Sequence, residues 1–399
     1  MKQGWTYKKL GELSVSMADG PFGSNLKKEH YTSEREVRII QLSNIGEEGW
    51  REENTKYTTF EHLENIKRSE VKPNDIVIAK MMPAGRAILC PNHEKKYVLS
   101  SDAVKVTLRD DVNKVFVLYS INSPYFRKQV YENVSGSGRV RTSLTKLRNC
   151  TLRIPPLSEQ QRIVSRLDSA FAHIDALKAN AEKQLSDAKA LFQKALEKAM
   201  EPKEGWEEKK LKEIGETQTG TTPPKSDMFN YGDYMPFIRP AELDFDGKGG
   251  IQYDSEIKLS EKGVKKSRLI KSNSILMCCI GSVGKMGFSI KDVTCNQQIN
   301  TITPAPGFCS KFIYYAMSNI TFLEDVIKEA KSAQATLPII SKGKWEKHKL
   351  CFPSLSEQQA IVSRLDSLSE KVKRLQEIQE MTIKECDALK QAMLRQVFE

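Results

Sequence analysis

Histidine is scarce in this 399-residue chain, and cysteine, at eight, follows no metal or disulfide pattern. The five histidines, His30, His62, His93, His173 and His348, never stand at ligand spacing from one another, which argues against a metal centre. The only close cysteine pair, Cys278 and Cys279, is adjacent, so neither a C-x-x-C knuckle nor a disulfide framework is expected. Reduced thiols, mostly in the core, are the reading that remains. No apolar run reaches membrane-spanning length, and MKQGWTYKKL lacks the apolar centre of a signal peptide. A cytoplasmic protein with no membrane association is expected.

Catalytic signatures are equally thin. GSVGKMG from Gly281 lacks the spacing and terminal Ser/Thr of a phosphate-binding loop and reads as a turn with one exposed lysine, Lys285. Glu256-Ile257-Lys258 has a nuclease-like look, but no Pro-Asp pair stands upstream. The two Pro-Pro pairs read IPPL and TPPK, so the [ND]-P-P-[YF] tetrapeptide expected of an adenine-flipping methyltransferase does not occur. The chain is therefore expected not to be an enzyme and to hold no cofactor or metal.

What the chain has is charge and repetition. A formal charge of +11 and a pI near 9.1 point to a polyanionic partner. LSEQQRIVSRLDS from Leu157 returns as LSEQQAIVSRLDS from Leu355, with twelve of thirteen residues identical, and GWTYKKLGE from Gly4 returns as GWEEKKLKE from Gly205. The chain is thus two tandem halves of about 200 residues. Each reads as a globular segment followed by a long helix: 1–156, 157–203, 204–354 and 355–399. Short β-branched runs bounded by turns (VRIIQL, DIVIAK, AVKVTL, ILMCCI, INTIT) predict small mixed sheets with a few helices.

The helices carry a narrow apolar seam. Leu167, Phe171, Ile174, Ala181, Leu185, Ala188, Phe192, Ala195 and Ala199 fall at steps of three and four with a gap at Lys178. In the second helix Ile361, Leu365, Leu368, Val372, Leu375, Cys386, Leu389 and Met393 do so, interrupted by Gln379 and Thr382. Such stripes predict coiled-coil packing. Each helix opens after proline with Ser-x-x-Gln, so Ser158 and Ser356 are expected to cap the amides of Gln161 and Gln359. Neither seam nor cap explains why the copies share Glu159, Gln160, Ser165, Arg166 and Asp168 with Glu357, Gln358, Ser363, Arg364 and Asp366. A recent duplication would leave them alike; so would a surface that docks two copies of one partner. The second reading marks Glu159, Gln160, Arg166, Glu357, Gln358 and Arg364 as partner-binding.

The helical segments sum to zero charge, and the globular segments hold the surplus, +8 in 1–156 and +3 in 201–354. Basic residues crowd just before each helix: Arg127, Lys128, Arg139, Arg141, Lys146, Arg148 and Arg153, then Lys328, Lys331, Lys342, Lys344, Lys347 and Lys349. Such a run is ordinarily a solvated face; its recurrence at equivalent places favours phosphate contact, with Ser135–Gly138 giving a loop able to approach a groove. The residues expected on DNA are Lys80, Arg86, Ser137, Arg139, Arg141, Thr142 and Lys146 in the first half. In the second they are Arg239, Lys285, Lys331, Gln334, Thr336, Lys342 and Lys344.

Two basic domains, each followed by a P-x-L-S-E-Q-Q helix, resemble the specificity subunit of a type I restriction-modification system. The motifs that carry the resemblance are IPPLSEQQRIV and TGTTPPKS with MPFIRPAEL, and it covers essentially the whole chain. It implies an α+β protein: two mixed α/β target-recognition domains separated by two long antiparallel coiled-coil helices, in pseudo-twofold tandem repeat. It further implies binding of double-stranded DNA at an asymmetric bipartite site, of two methyltransferase subunits and of restriction (translocase) subunits. S-adenosylmethionine, ATP and Mg would belong to those partners. Ser354 departs from the second proline, and DGPFGSN stands where the second half has T-P-P, which suggests that the two domains read different DNA. The competing readings are a self-contained DNA methyltransferase or nuclease, or its degenerate relative, and a coiled-coil adaptor without DNA contact.

Overall fold

A computed structural model describes residues 4–81, 83–132, 141–244, 249–333 and 337–399. The chain forms two compact units, Met1–Glu182 with Glu380–Glu399, and Lys183–Gln379.

In the first unit a four-stranded antiparallel sheet has the order Ser14–Asp19, Ala103–Leu108, Ile76–Ala79, Ala87–Leu89. A second, mixed sheet pairs Val37–Ile40 in parallel with Lys96–Leu99. The strands Val37–Ile40 and Ile76–Ala79 are buried along their whole length; Ile76–Ala79 accordingly reads as a continuous apolar run without alternation, whereas Val37–Ile40 also buries Arg38, which pairs with Glu52 at 3.5 Å. The second unit repeats the plan: Gly215–Thr219, Ile299–Pro304, Ile275–Cys278, Met286–Phe288 in one sheet, and Tyr231–Ile238 parallel to Val293–Cys295 in the other. Six of the eight cysteines are buried, and none is in a disulfide.

The repeated GW motif has a structural cause in both units. Gly4 and Gly205 hold φ of +83° and +88°, left-handed values that favour glycine. The tryptophans that follow pack on equivalent rings, Trp5 on Phe116 at 6.3 Å and Trp206 on Phe312 at 6.0 Å. The strands after them, Thr6–Lys9 and Glu207–Lys210, pair antiparallel with Thr151–Ile154 and Lys349–Phe352, which lead into the long helices. Each globular segment is thus closed start to end.

The long helices run Leu157–Met200 and Leu355–Phe398, 44 residues each, or about 65 Å at 1.5 Å per residue. They lie antiparallel within each unit, where Lys178 bonds Asp387 at 2.8 Å in the first and Gln379 bonds Gln184 at 2.9 Å in the second. These are the interruptions of the apolar seam. Lys178 also meets Glu48 at 2.8 Å, and the two carboxylates raise the lysine's pKa. A charged position in an apolar seam selects one register, because any slip leaves the ammonium unpaired. Three expectations are corrected. Leu389 is half-exposed, and the seam continues through the buried Leu196 and Met200, with Ala195 and the core-packed Ala199 only half-buried beside them. The serine caps do not form as expected: each helix already begins at Leu157 or Leu355, so Ser158 and Ser356 lie inside the first turn. Ser354 takes the capping role instead, with its hydroxyl accepting from Glu357 N at 3.4 Å.

Each core is completed by the far end of a long helix. Leu394 and Phe398 enter the first unit's core, where the Phe398 ring lies 5.3 Å from Phe116, and Leu196 and Met200 enter the second's.

Candidate nucleic-acid interface

The hairpin between strands Ile76–Ala79 and Ala87–Leu89 has Gly85 at φ +84°. Its counterpart after Ile275–Cys278 turns through 279–285, with Gly284 at φ +91°. In the first unit the chain at 141–142 pairs with this hairpin: Met81 bridges Arg141, and Thr142 N donates to Lys80 O at 2.9 Å. In the second unit Ile280 bridges Ile339, and Ile340 N donates to Cys279 O at 3.0 Å. One backbone scaffold therefore carries different chemistry. Lys80, Arg141 and Thr142 stand where the second unit has Cys279, Ile339 and Ile340.

Around the first scaffold is a cleft of about 590 Å³, lined by Asp19–Gly23, Lys80, Ser101 and Arg141–Leu144 with Lys146. Four of the expected DNA contacts meet there. Lys80 is 6% exposed, and its ammonium bonds Asp19 at 2.6 Å, so it braces the cleft floor rather than standing free for a phosphate. Arg141 is exposed, paired with Asp102 at 3.1 Å and donating to Ser101 O at the same distance. The Thr142 hydroxyl is buried in the cleft wall with no hydrogen-bond partner among the described residues. Asp19 and Asp102 leave no signal in the sequence, because pairs separated by tens of residues have no periodicity.

Outside the cleft the basic residues are largely spent on the protein itself. Arg86 is partly buried and donates to Pro83 O; burial lowers its pKa. Lys285 is not the exposed lysine expected of its turn, since its ammonium donates to Pro240 O at 2.9 Å. Arg239 is turned onto Glu242. Lys342 is half-buried and pairs with Glu346 at 3.3 Å, Lys344 is exposed and pairs with Glu329 at 3.5 Å, and Lys331 is exposed. Ser137, Arg139, Gln334 and Thr336 lie outside the described residues.

The repeated helix residues divide in two. Gln160 and Gln358, expected on a partner surface, are each 2% exposed and serve the fold. Gln160 accepts from Asn113 N at 2.8 Å and donates to Pro155 O at 2.9 Å; Gln358 accepts from Cys309 N and donates to Pro353 O, both at 2.9 Å. These orphan backbone groups sit at the start of a domain helix and at the lead-in to the long helix, where no backbone partner is within reach. Asp168 and Asp366 do point away from the seam, but onto Tyr119 and Tyr315 of the domains. Arg166 and Arg364 are exposed, while Glu159 pairs with Arg162 at 2.8 Å and Glu357 with Lys203 at 3.9 Å.

Among the described residues there is no cluster of three metal-ligating side chains, and no helix is long and apolar enough to cross a membrane. A family model for the type I restriction modification DNA specificity domain matches residues 2–186 and 203–382. The EcoBI specificity subunit of Escherichia coli is 23% identical over 330 residues, 75% of this chain and 67% of that one. The MjaIX specificity subunit of Methanocaldococcus jannaschii is 29% identical over 184 residues, 44% of this chain, and the match spans only 41% of that relative's length. The fold matches a chain solved in work on complex assembly and conformational transition of the type I R-M system, at TM-score 0.77 and 19% identity, covering 99% of this chain and 97% of that one. It also matches the HsdS subunit from Thermoanaerobacter tengcongensis, at TM-score 0.56 and 19% identity over 100% and 97% of the two chains. With two tandem matches spanning most of its length, this chain belongs to the type I restriction modification DNA specificity domain family.

Proposed function

We propose that this protein is a non-catalytic DNA-recognition and scaffold subunit that reads an asymmetric bipartite sequence in double-stranded DNA. Residues 1–156 and 204–354 are its two target-recognition domains, and the helical segments 157–203 and 355–399 connect them. The observation that carries this reading is the shared hairpin scaffold whose side chains differ: lysine, arginine and threonine in the first domain, cysteine and two isoleucines in the second. A duplicated enzyme would be expected to keep its chemistry alike in both copies; a duplicated reader of two different half-sites must vary it. Arg141, Thr142 and Lys146 are the first domain's DNA contacts, and Lys331, Lys342 and Lys344 supply phosphate contacts in the second.

Partner docking falls to the exposed, duplicated residues Arg166 and Arg364, with Glu159 and Glu357 beside them. Duplication of the patch suits two copies of one methyltransferase subunit. Restriction subunits join for cleavage in the cytoplasm, and S-adenosylmethionine, ATP and Mg bind to the partners. Co-expression with the methyltransferase tests the docking surface. Arg166→Glu with Arg364→Glu should remove the complex on gel filtration while the chain keeps its circular dichroism; a complex of normal composition would contradict it.

A further inference from the structure

In both domains the stretch from the first strand of the antiparallel sheet through the helical turn that follows presents one phenylalanine to solvent, Phe22 within the loop and Phe229 inside the turn itself. The loop runs from the first strand of the antiparallel sheet to a single helical turn, Lys28–His30 in the first domain and Met228–Asn230 in the second. The two loops have unrelated sequences, PFGSNLKKEH against TTPPKSDMFN. Yet Phe22 is 80% exposed in one and Phe229 is 80% exposed in the other.

Neither ring is at the tip of a loose segment. Before Phe22, Gly20 passes so close to the backbone of Ser100 that a Cβ would lie 1.7 Å from its carbonyl oxygen, and Pro21 fixes the next φ. The Phe22 carbonyl then accepts from Asn25 N at 2.7 Å. Around Phe229 the bracing uses different residues. The Phe229 carbonyl accepts from Ser260 Oγ at 2.6 Å, and Pro223 and Pro224 are held by Tyr231 Oη at 2.8 Å and Asn230 Nδ2 at 3.0 Å. A ring on a braced backbone surrenders little freedom when it meets a flat apolar surface, so the geometry suits contact.

The surroundings of both rings name the partner's chemistry. Phe22 stands at the lip of the cleft that holds Arg141, Lys146 and the unpartnered Thr142 hydroxyl. Phe229 lies under the Lys262 ammonium at 5.4 Å, and Lys262 and Lys266 share Asp227 at 2.9 and 3.1 Å, two cations on one carboxylate. An apolar ring framed by cations matches a polyanion that hides apolar faces between its charges, which is the arrangement of bases and phosphates in a duplex.

We infer that Phe22 and Phe229 contact DNA bases directly, each in its own half-site, by packing on a thymine methyl or wedging into a base step. This rests on the DNA-reading role proposed above. Because the rings carry no charge, they contribute selectivity without phosphate contact.

The full-length protein is offered a randomised duplex library, and the bound sequences are compared for wild type, Phe22→Ala, Phe229→Ala, Phe22→Tyr and Phe229→Tyr. Each alanine variant should lose about tenfold of its preference at one base position or step in one half-site only. The tyrosine variants should retain it, and the slope of binding against salt should stay as in wild type. Replacing thymine by deoxyuridine at the affected position distinguishes a methyl contact from a wedge; either outcome supports base contact. An unchanged selected sequence in the alanine variants would overturn the inference, as would losses shared by both half-sites, a reduced salt slope or a lowered melting temperature. A wild-type protein that selects no sequence and binds without salt dependence would remove the DNA-reading role itself.

Discussion

Tyr119 donates its phenolic hydrogen to Asp168 at 2.5 Å, and Tyr315 does the same to Asp366 at 2.7 Å. The two pairs tie each globular domain to the start of the long helix that follows it. They give two of the repeated polar residues a reason to repeat that has nothing to do with a partner.

The tyrosines also set a pH limit. Burial first, and the carboxylate hydrogen bond second, raise both phenols above their ordinary range. A raised pKa means that the folded state holds the proton more tightly, so the pairs stabilise fully below about pH 10, the unfolded value, and the contribution fades as pH climbs beyond it. In a spectrophotometric titration Tyr119→Phe with Tyr315→Phe should remove two late-titrating phenols. Loss of early-titrating ones instead would contradict the burial. Each variant should cost about 1 kcal/mol in urea denaturation at neutral pH.

Gln160→Leu and Gln358→Leu should each cost about 1–3 kcal/mol, because each strands a backbone amide and a carbonyl that the glutamine alone satisfies. A pair of variants as stable as wild type in chemical denaturation would show that water replaces the side chain.

Phe398→Ala should destabilise by about 3–5 kcal/mol and Leu196→Ala by about 2–5 kcal/mol, each by leaving a cavity in one core. Hydrogen exchange should locate the first loss in Met1–Glu182 with Glu380–Glu399 and the second in Lys183–Gln379. Equal loss of protection everywhere in both variants would mean that the two units open together.

Arg141→Ala and Lys146→Ala should each flatten the dependence of log K on log salt by about 0.9 if the residue neutralises one phosphate. A slope equal to wild type, with selectivity lost at one base, would move that residue from backbone contact to base reading.

Much of this architecture is legible in the sequence because it is local or periodic. The apolar runs DIVIAK and ILMCCI hold the buried, paired central strands Ile76–Ala79 and Ile275–Cys278, and the seam with its gap at Lys178 is a helix pair with a charged register lock. Polar residues were harder to interpret, since the same glutamine can face a partner or cap a neighbouring helix. Gln160 does the latter because Asn113, 47 positions away, brings an orphan amide to it. The same blindness to distance hid the carboxylates that hold Lys80 and Arg141, so cations counted as free turned out to be braced. Phe22 and Phe229 carry no sequence signal at all, because a lone phenylalanine between Pro21 and Gly23, or between Met228 and Asn230, reads as core or turn alike.

The central claim is that two domains of one fold read two different half-sites. It is tested most directly by mapping methylated positions with long-read sequencing in cells carrying this chain and its methyltransferase, first for the wild type and then for Thr142→Val with Arg141→Ala. The account predicts a gapped, asymmetric motif in which the variant alters one half and leaves the other half unchanged. A continuous motif, or a variant that changes both halves together, would contradict it.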